Sequence, residues 1–191
     1  MINQFFLSDQ TLYAESTRLR LNEIISREQV PAKSVVLEKE KHYSDLIFIE
    51  KGSVRSVFKK YFAEITSWIY LEGDLVSPLY CLKLGKPCME EFVAVEDSDL
   101  IRVDYAAFAA LRKADQVLSA HYTIYLEERS AQFEHQVLQY QALNSMEKWK
   151  HFSKTNPDLI QRLPLKHLAA WLGMDPATLS RARKRSLRDH S

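Results

Sequence analysis

Arg181, Arg183, Lys184 and Arg185 fall within five consecutive positions near the carboxy terminus, a density of cations that suits a polyanionic partner. An Arg guanidinium can bond the O6 and N7 acceptors of one guanine together, and a Lys ammonium meets a phosphate as a point charge. Such chemistry needs a rigid carrier that turns the cations to one side. The carrier is written into the same stretch. Leu165, Leu168, Ala169, Trp171 and Leu172 recur at helical spacing and stop at Gly173, a residue type that ends helices in the left-handed conformation without side-chain cost. Asp175 then offers an N-cap acceptor and Pro176 a first-turn residue, and Thr178 to Arg183 continue without a breaker. Two helices joined by a turn of about three or four residues containing Gly make a helix-turn-helix. Small Ala169 lets the axes approach, and Leu172, Met174 and Leu179 fill the angle between them. Leu179, Ala182 and Ser186 share the inner face of the second helix, leaving Ala177, Ser180, Arg181, Lys184, Arg185 and Arg188 outside. The bland alternative is an αα-hairpin whose basic face is merely solvated.

The charge balance favours the sharper reading. From Glu147 to Ser191 there are 10 Lys or Arg and 4 Asp or Glu, a net of +6; the formal total is +1, so residues 1–146 carry −5. A polyanion-binding end is attached to something else. At 191 residues and 46% hydrophobic, the chain suits one or two globular domains. It has no run of eighteen apolar residues and no basic segment leading into an apolar core at its start, so a soluble, cytoplasmic protein without a membrane partner is expected. Cys81 and Cys88 are too few for a zinc or iron–sulfur site and read as two unpaired, partly buried thiols; no metal and no cofactor is expected. Gly52, Gly73, Gly85 and Gly173 each fall between periodic segments and read as turns.

The elements that must position these residues follow from periodicity. Residues 8–28 predict one or two amphipathic helices. From Pro31 the texture changes to SVVLEKE, LIFIEKGSVRSVF, ITSWIYLE, EFVAVED and DLIRVDY, short β-branched and aromatic segments that argue an antiparallel sandwich or barrel, with a hairpin at Glu50-Lys51-Gly52. Helix returns at AAFAALRK and then over about thirty residues from Ala114 to Leu143 that lack Gly and Pro. Within it Tyr122, Leu126, Phe133, Val137 and Tyr140 form a coiled-coil-like stripe, which can pack on its own domain or on a partner.

The order of sandwich, long helix and basic helix-turn-helix resembles the Crp/Fnr family of transcription regulators. HYSDLIFIEKGSVRSV at 42–57 is similar to the family's β-hairpin signature, and YLEGDLVS at 70–77 to the opening of its phosphate-binding cassette. ALNSMEKWKHFSKTNPDLIQRLPLKHLAAWLGMDPATLSRARKR resembles the carboxy-terminal domain of the short members common in Bacteroidetes. The resemblance covers roughly residues 30–188. It implies an α+β chain: a jelly-roll β-sandwich like a cyclic-nucleotide-binding domain with flanking helices over 1–112, a dimerisation helix over 113–143, and a helix-turn-helix domain over 144–191. It also implies a homodimer paired along Tyr122, Leu126, Phe133, Val137 and Tyr140, a palindromic site on double-stranded DNA, and RNA polymerase as a further partner. The chain runs only six residues past Arg185, so a full wing is not expected.

Two departures qualify the resemblance. Members that bind cyclic AMP hold the ribose with a Gly-Glu pair and the cyclic phosphate with an Arg; here the corresponding positions are Gly73-Asp74 and, near Cys88-Met89, the carboxylates Glu90 and Glu91. No Arg lies between Tyr70 and Leu100, so the cassette is read as degenerate, and any effector as unknown. At the DNA end, the resemblance sets Pro176, Ala177 and Arg181 against base edges and Thr178 and Lys184 toward phosphates. Ala177 stands where many relatives carry Glu; a methyl group offers only an apolar surface, for instance to a thymine methyl. Two rivals are weighed. A metal-dependent β-sandwich enzyme lacks ligands, since His42 is the only histidine between Pro31 and Arg112. A ligand-sensing adaptor would dock its basic helices on an acidic protein instead of DNA.

Overall fold

The computed structural model describes residues 10–60 and 63–188, except for the side chains of Gln10, Lys60, Ala63, Tyr140, Leu187 and Arg188. A single 3-10 turn over Gln10–Leu12 leads into helix α1 (Glu15–Ile24). The segment then turns to strand β1 (Ile25–Val30), so the helical reading of 8–28 fails at its end. Ser26 to Gln29 alternate no apolar residues and stay exposed, but their backbone pairs with a later strand. Six more strands follow: β2 (Val35–Leu37), β3 (Asp45–Lys51), β4 (Val54–Lys60), β5 (Ala63–Tyr70), β6 (Glu91–Ala94) and β7 (Ser98–Asp104), with a short helix α2 (Leu79–Leu84) between β5 and β6. These are the segments predicted from their Val, Ile and aromatic content.

All the pairings are antiparallel, in sheets of order β1-β7-β3 and β2-β6-β4-β5. In β5 the register shifts at Ser67, because Ser56 faces Trp68 while its neighbour Val57 faces Thr66. That is a bulge, one extra residue that re-aims the strand. Between the sheets lie Leu37, Ile47, Ile49, Val54, Val76, Phe92 and Leu100. Gly52 closes the β3–β4 hairpin at φ 99°, and a methyl group there would collide with Ser98, so only Gly fits.

Helix α3 (Tyr105–Ala114) begins at Asp104, whose carboxylate accepts from the Ala107 N–H. The long α4 (Gln116–Ala142) begins on Asp115, which accepts from the Leu118 N–H. With α1, these helices cover the outer face of the first sheet: Leu21, Phe48, Val103, Phe108, Leu118, Tyr122 and Tyr125 form one core. The carboxy-terminal unit starts with a capping box, Asn144 to the Met146 and Glu147 N–H groups and Glu147 back to Asn144, and builds α5 (Ser145–Thr155), α6 (Pro157–Arg162), α7 (Leu165–Trp171) and α8 (Pro176–Arg188). Trp149, Phe152, Leu159, Leu163, Leu168, Ala169, Leu179 and Ala182 fill it, together with Ile69 from β5. Among the described residues, no helix is long and apolar enough to cross a membrane.

Candidate functional site

The turn between α7 and α8 is built as its residues dictate. Gly173 takes φ 67°, Ala169 is fully buried at the crossing, and the Met174 N–H bonds the Ala169 carbonyl at 2.9 Å. Asp175 caps α8, its carboxylate accepting from the Thr178 N–H at 2.9 Å and the Thr178 hydroxyl at 2.6 Å. These bonds, the hydroxyl first, hold the Asp175 carboxyl below its ordinary pKa. Leu179 and Ala182 point inward, while Pro176, Ala177, Arg181, Lys184 and Arg185 are exposed and Ser180 is half-buried.

Thr178, expected toward a phosphate, gives its hydroxyl proton to Asp175, and its oxygen accepts from Arg181 Nη2 at 2.9 Å. Thr178 therefore completes the cap and holds Arg181; it has no proton left for a phosphate while the cap stands. Arg183 lies over the Trp149 ring at 5.6 Å, inside the outward face rather than on it.

The expected effector residues do not converge. Cys88 is buried beside Cys81, with 3.3 Å between the sulfurs; both are free thiols, and burial first, then the neighbouring sulfur, pushes Cys88 up to about 12. Met89 is exposed, Glu91 bonds Lys59 at 3.0 Å, and Glu90 accepts from Ser67. Between β5 and α4, Arg129 of α4 bonds Asp74 at 2.8 Å, lies 6.0 Å from the Trp68 ring, and is followed by Phe133, whose ring is 5.4 Å from Trp68. Asp74 also accepts from the Leu71 N–H. Burial raises the Asp74 pKa and Arg129 pulls it back. Tyr70 and Tyr125 nearby are pushed up by burial, and the Tyr125 hydroxyl accepts from the Leu75 N–H at 2.6 Å. The cation of Asp74 thus comes from outside the stretch between Tyr70 and Leu100. Its signal was a place on the helix: Arg129 follows Tyr122 and Tyr125 by seven and four residues and so shares their buried face.

The residues of the expected pairing stripe differ in exposure. Tyr122 is 2% exposed, in edge contact with Phe108 at 5.2 Å, and Leu126 is half-buried against that core. Phe133 keeps 56% of its surface exposed but leans on Trp68, and the side chain of Tyr140 lies outside the described residues.

The carboxy-terminal unit is tied to the sandwich by Arg162. Its guanidinium donates to Glu96 at 2.8 and 2.9 Å, to Glu72 at 3.1 Å and to the Gly52 carbonyl at 2.9 Å. Glu72 in turn accepts from the Gly52 N–H. Burial is the largest single influence on the Glu72 carboxyl and raises it, but the Arg162 hydrogen bond and charge together with the backbone N–H bonds hold the pKa below its ordinary 4.5. On α7, burial first and then Arg55 and Lys166 push His167 down to about 4. Both shifts have the same sign of consequence: the unfolded chain binds these protons more readily, so stability present above pH 6.5 is lost progressively toward pH 4 and below. Thermal unfolding should therefore fall in temperature over that window, and His167→Gln should flatten its upper part between 6.5 and 4. An unchanged profile would remove His167 from the account.

The amino-acid sequence matches no family model and none of the curated proteins. Solved structures do match. FixK2 from Bradyrhizobium japonicum superposes with a TM-score of 0.71 at 14% identity, over 87% of this chain and 86% of that one. A CooA mutant from Carboxydothermus hydrogenoformans gives 0.71 at 13%, over 95% and 82%. The c-di-GMP responsive global regulator CLP of Xanthomonas campestris gives 0.68 at 16%, over 93% of both chains. The fold is that of the Crp/Fnr regulators.

Proposed function

We propose that the chain is a DNA-binding transcription regulator of the Crp/Fnr type, a homodimer on a palindromic site, whose sensor domain does not take a cyclic nucleotide. The observation that carries the reading is the capped helix α8, set on a rigid turn with Arg181, Lys184 and Arg185 exposed along one side. Two copies related by a two-fold axis would present two such helices to successive major-groove half-sites. Arg129, Trp68 and Phe133 pack together between β5 and α4, and Asp74 already has its cation, which supports that reading of the sensor domain. Calorimetry with cyclic AMP or cyclic GMP at millimolar concentration should give no saturable heat.

Arg181 and Lys184 separate base reading from phosphate contact. A forked guanidinium on a guanine is worth roughly 1 to 3 kcal/mol of discrimination. Arg181→Ala should weaken the best palindromic duplex by about ten- to a hundredfold and barely change binding to random duplex. Lys184→Ala should weaken both alike and make the salt slope shallower by about one unit per protomer. Selection from randomised duplexes, followed by anisotropy titrations at several salt concentrations, reads both. Equal losses on both duplexes for Arg181→Ala would make Arg181 a phosphate contact only. A flat salt slope for the unmodified protein would sink the DNA reading itself.

A further inference from the structure

The last turns of α4 and the carboxy-terminal unit enclose a cleft of about 480 Å³, lined by Gln132, His135, Gln139, His151 and Trp171 among others. It belongs neither to the sandwich interior nor to the exposed face of α8. Two imidazoles meet there from different elements: His135 on α4 and His151 on α5, with ring centroids 6.1 Å apart and planes at 66°. Gln139, one helical turn after His135, brings its side-chain amide 2.8 Å from His151 Nε2 and 3.3 Å from both ring nitrogens of His135. Three polar heads thus crowd one point.

The amide oxygen and nitrogen of a Gln exchange places by half a turn of the group, so either can face the imidazoles. With the oxygen inward, the cluster is a set of neutral nitrogen and oxygen donors. Donors held at about 2.0 to 2.1 Å from a tetrahedral ion lie about 3.4 Å from one another. The separations of 2.8 and 3.3 Å from Gln139 are close to that edge length. We propose that His135, His151 and the Gln139 side-chain oxygen form a binding site for a divalent transition-metal ion of the zinc and nickel class, with water completing the shell. Imidazole selects such ions, whereas calcium and magnesium favour carboxylates, and none is among the described residues that line this cleft. His135 is exposed, which leaves the ion a way in. Lys148 in the same lining adds a positive charge that works against the ion. Because the donors span Leu143 and Asn144, where α4 ends and α5 begins, a bound ion would fix the angle between the long helix and the DNA-reading unit.

The test uses the full chain stripped of metal, titrated by calorimetry with zinc and, separately, nickel chloride in a non-chelating buffer. The expected result is one ion per chain with a micromolar dissociation constant. Loss of an outer-shell partner alone commonly weakens a metal site 10- to 100-fold, so His135→Ala, which removes a ligand, should cost at least about tenfold. His135 is at the surface, so that variant keeps the fold, and circular dichroism checks it; His151→Ala should lose binding as well. Absence of binding at about 100 μM metal, or binding that His135→Ala leaves unchanged, overturns the proposal. The readout involves no DNA, so it stands or falls apart from the regulator reading.

Discussion

Arg129→Ala is expected to lower the stability of the sandwich and its helices by about 3 to 5 kcal/mol, the usual result of leaving one partner of a buried ion pair alone. At roughly 2 to 4 °C per kcal/mol for a chain of this size, the unfolding temperature should drop on the order of 10 °C. The cause is Asp74. Its carboxylate is buried, its pKa is raised by that burial, and Arg129 is the cation that offsets it. Without Arg129 the group rises further. A carboxyl whose folded pKa is raised costs stability above that pKa and ceases to as pH falls through it, so the deficit of Arg129→Ala should shrink as pH falls toward the ordinary 3.8 of an aspartate. Replacing both partners, Arg129→Leu with Asp74→Leu, should recover most of the loss, because similar apolar volume spares both desolvation costs. Calorimetric unfolding of the single and double variants across pH decides it. A single variant as stable as the parent would mean that solvent, not Arg129, satisfies Asp74.

The second large effect concerns assembly. Ile124→Glu with Leu138→Glu should halve the mass seen by light scattering, from twice the chain's 22.3 kDa to one chain. With Tyr122 and Leu126 turned inward, the side of α4 left open carries Val117, Ile124 and Leu138, which are 48%, 51% and 62% exposed, with Ala131 between them. Their spacing is a strict seven, the repeat that keeps a seam facing a partner helix. Two Glu per chain place four like charges in the two-fold interface, and each must lose water without a counter-ion. Phe133→Glu with Val137→Glu makes the control, since Phe133 leans on Trp68 of its own chain; it should disturb the sandwich more than the mass. A mass that stays at two chains in the first variant would place the seam elsewhere.

How far the amino-acid sequence discloses this depends on whether one face or two decides a segment. β3 to β7 are legible because runs such as Leu46-Ile47-Phe48-Ile49 are buried on both faces, and α7 and α8 because Gly173 and Asp175-Pro176 are local stops and starts. β1 is not legible: it is an edge strand with only Val30 buried, held by backbone pairing that leaves no apolar alternation. The helix α4 misleads for the opposite reason. It carries one apolar side into its own domain and another outward, so a single stripe drawn through Tyr122, Leu126, Phe133 and Val137 crosses both. Arg129 escapes a search confined to residues near Gly73-Asp74 because its partner is 55 positions away.

Strand β5 leaves the carboxy-terminal unit without a complete interior of its own. Trp68 and Tyr70 turn toward one another and toward Phe133 and Phe92, while Ile69 between them is 1% exposed among Trp149, Phe152 and Leu168. Alternation along one pleated strand thus stitches two hydrophobic interiors together, and the bulge at Ser67 sets which residue goes to which. A fragment cut at Asn144 would carry an open socket where Ile69 sat, and should bind apolar dye or clump. Any tilt of β5 caused by events around Trp68 and Arg129 moves the plug in that socket by the same amount. The sandwich and the carboxy-terminal unit are therefore geared, with a single isoleucine as the tooth.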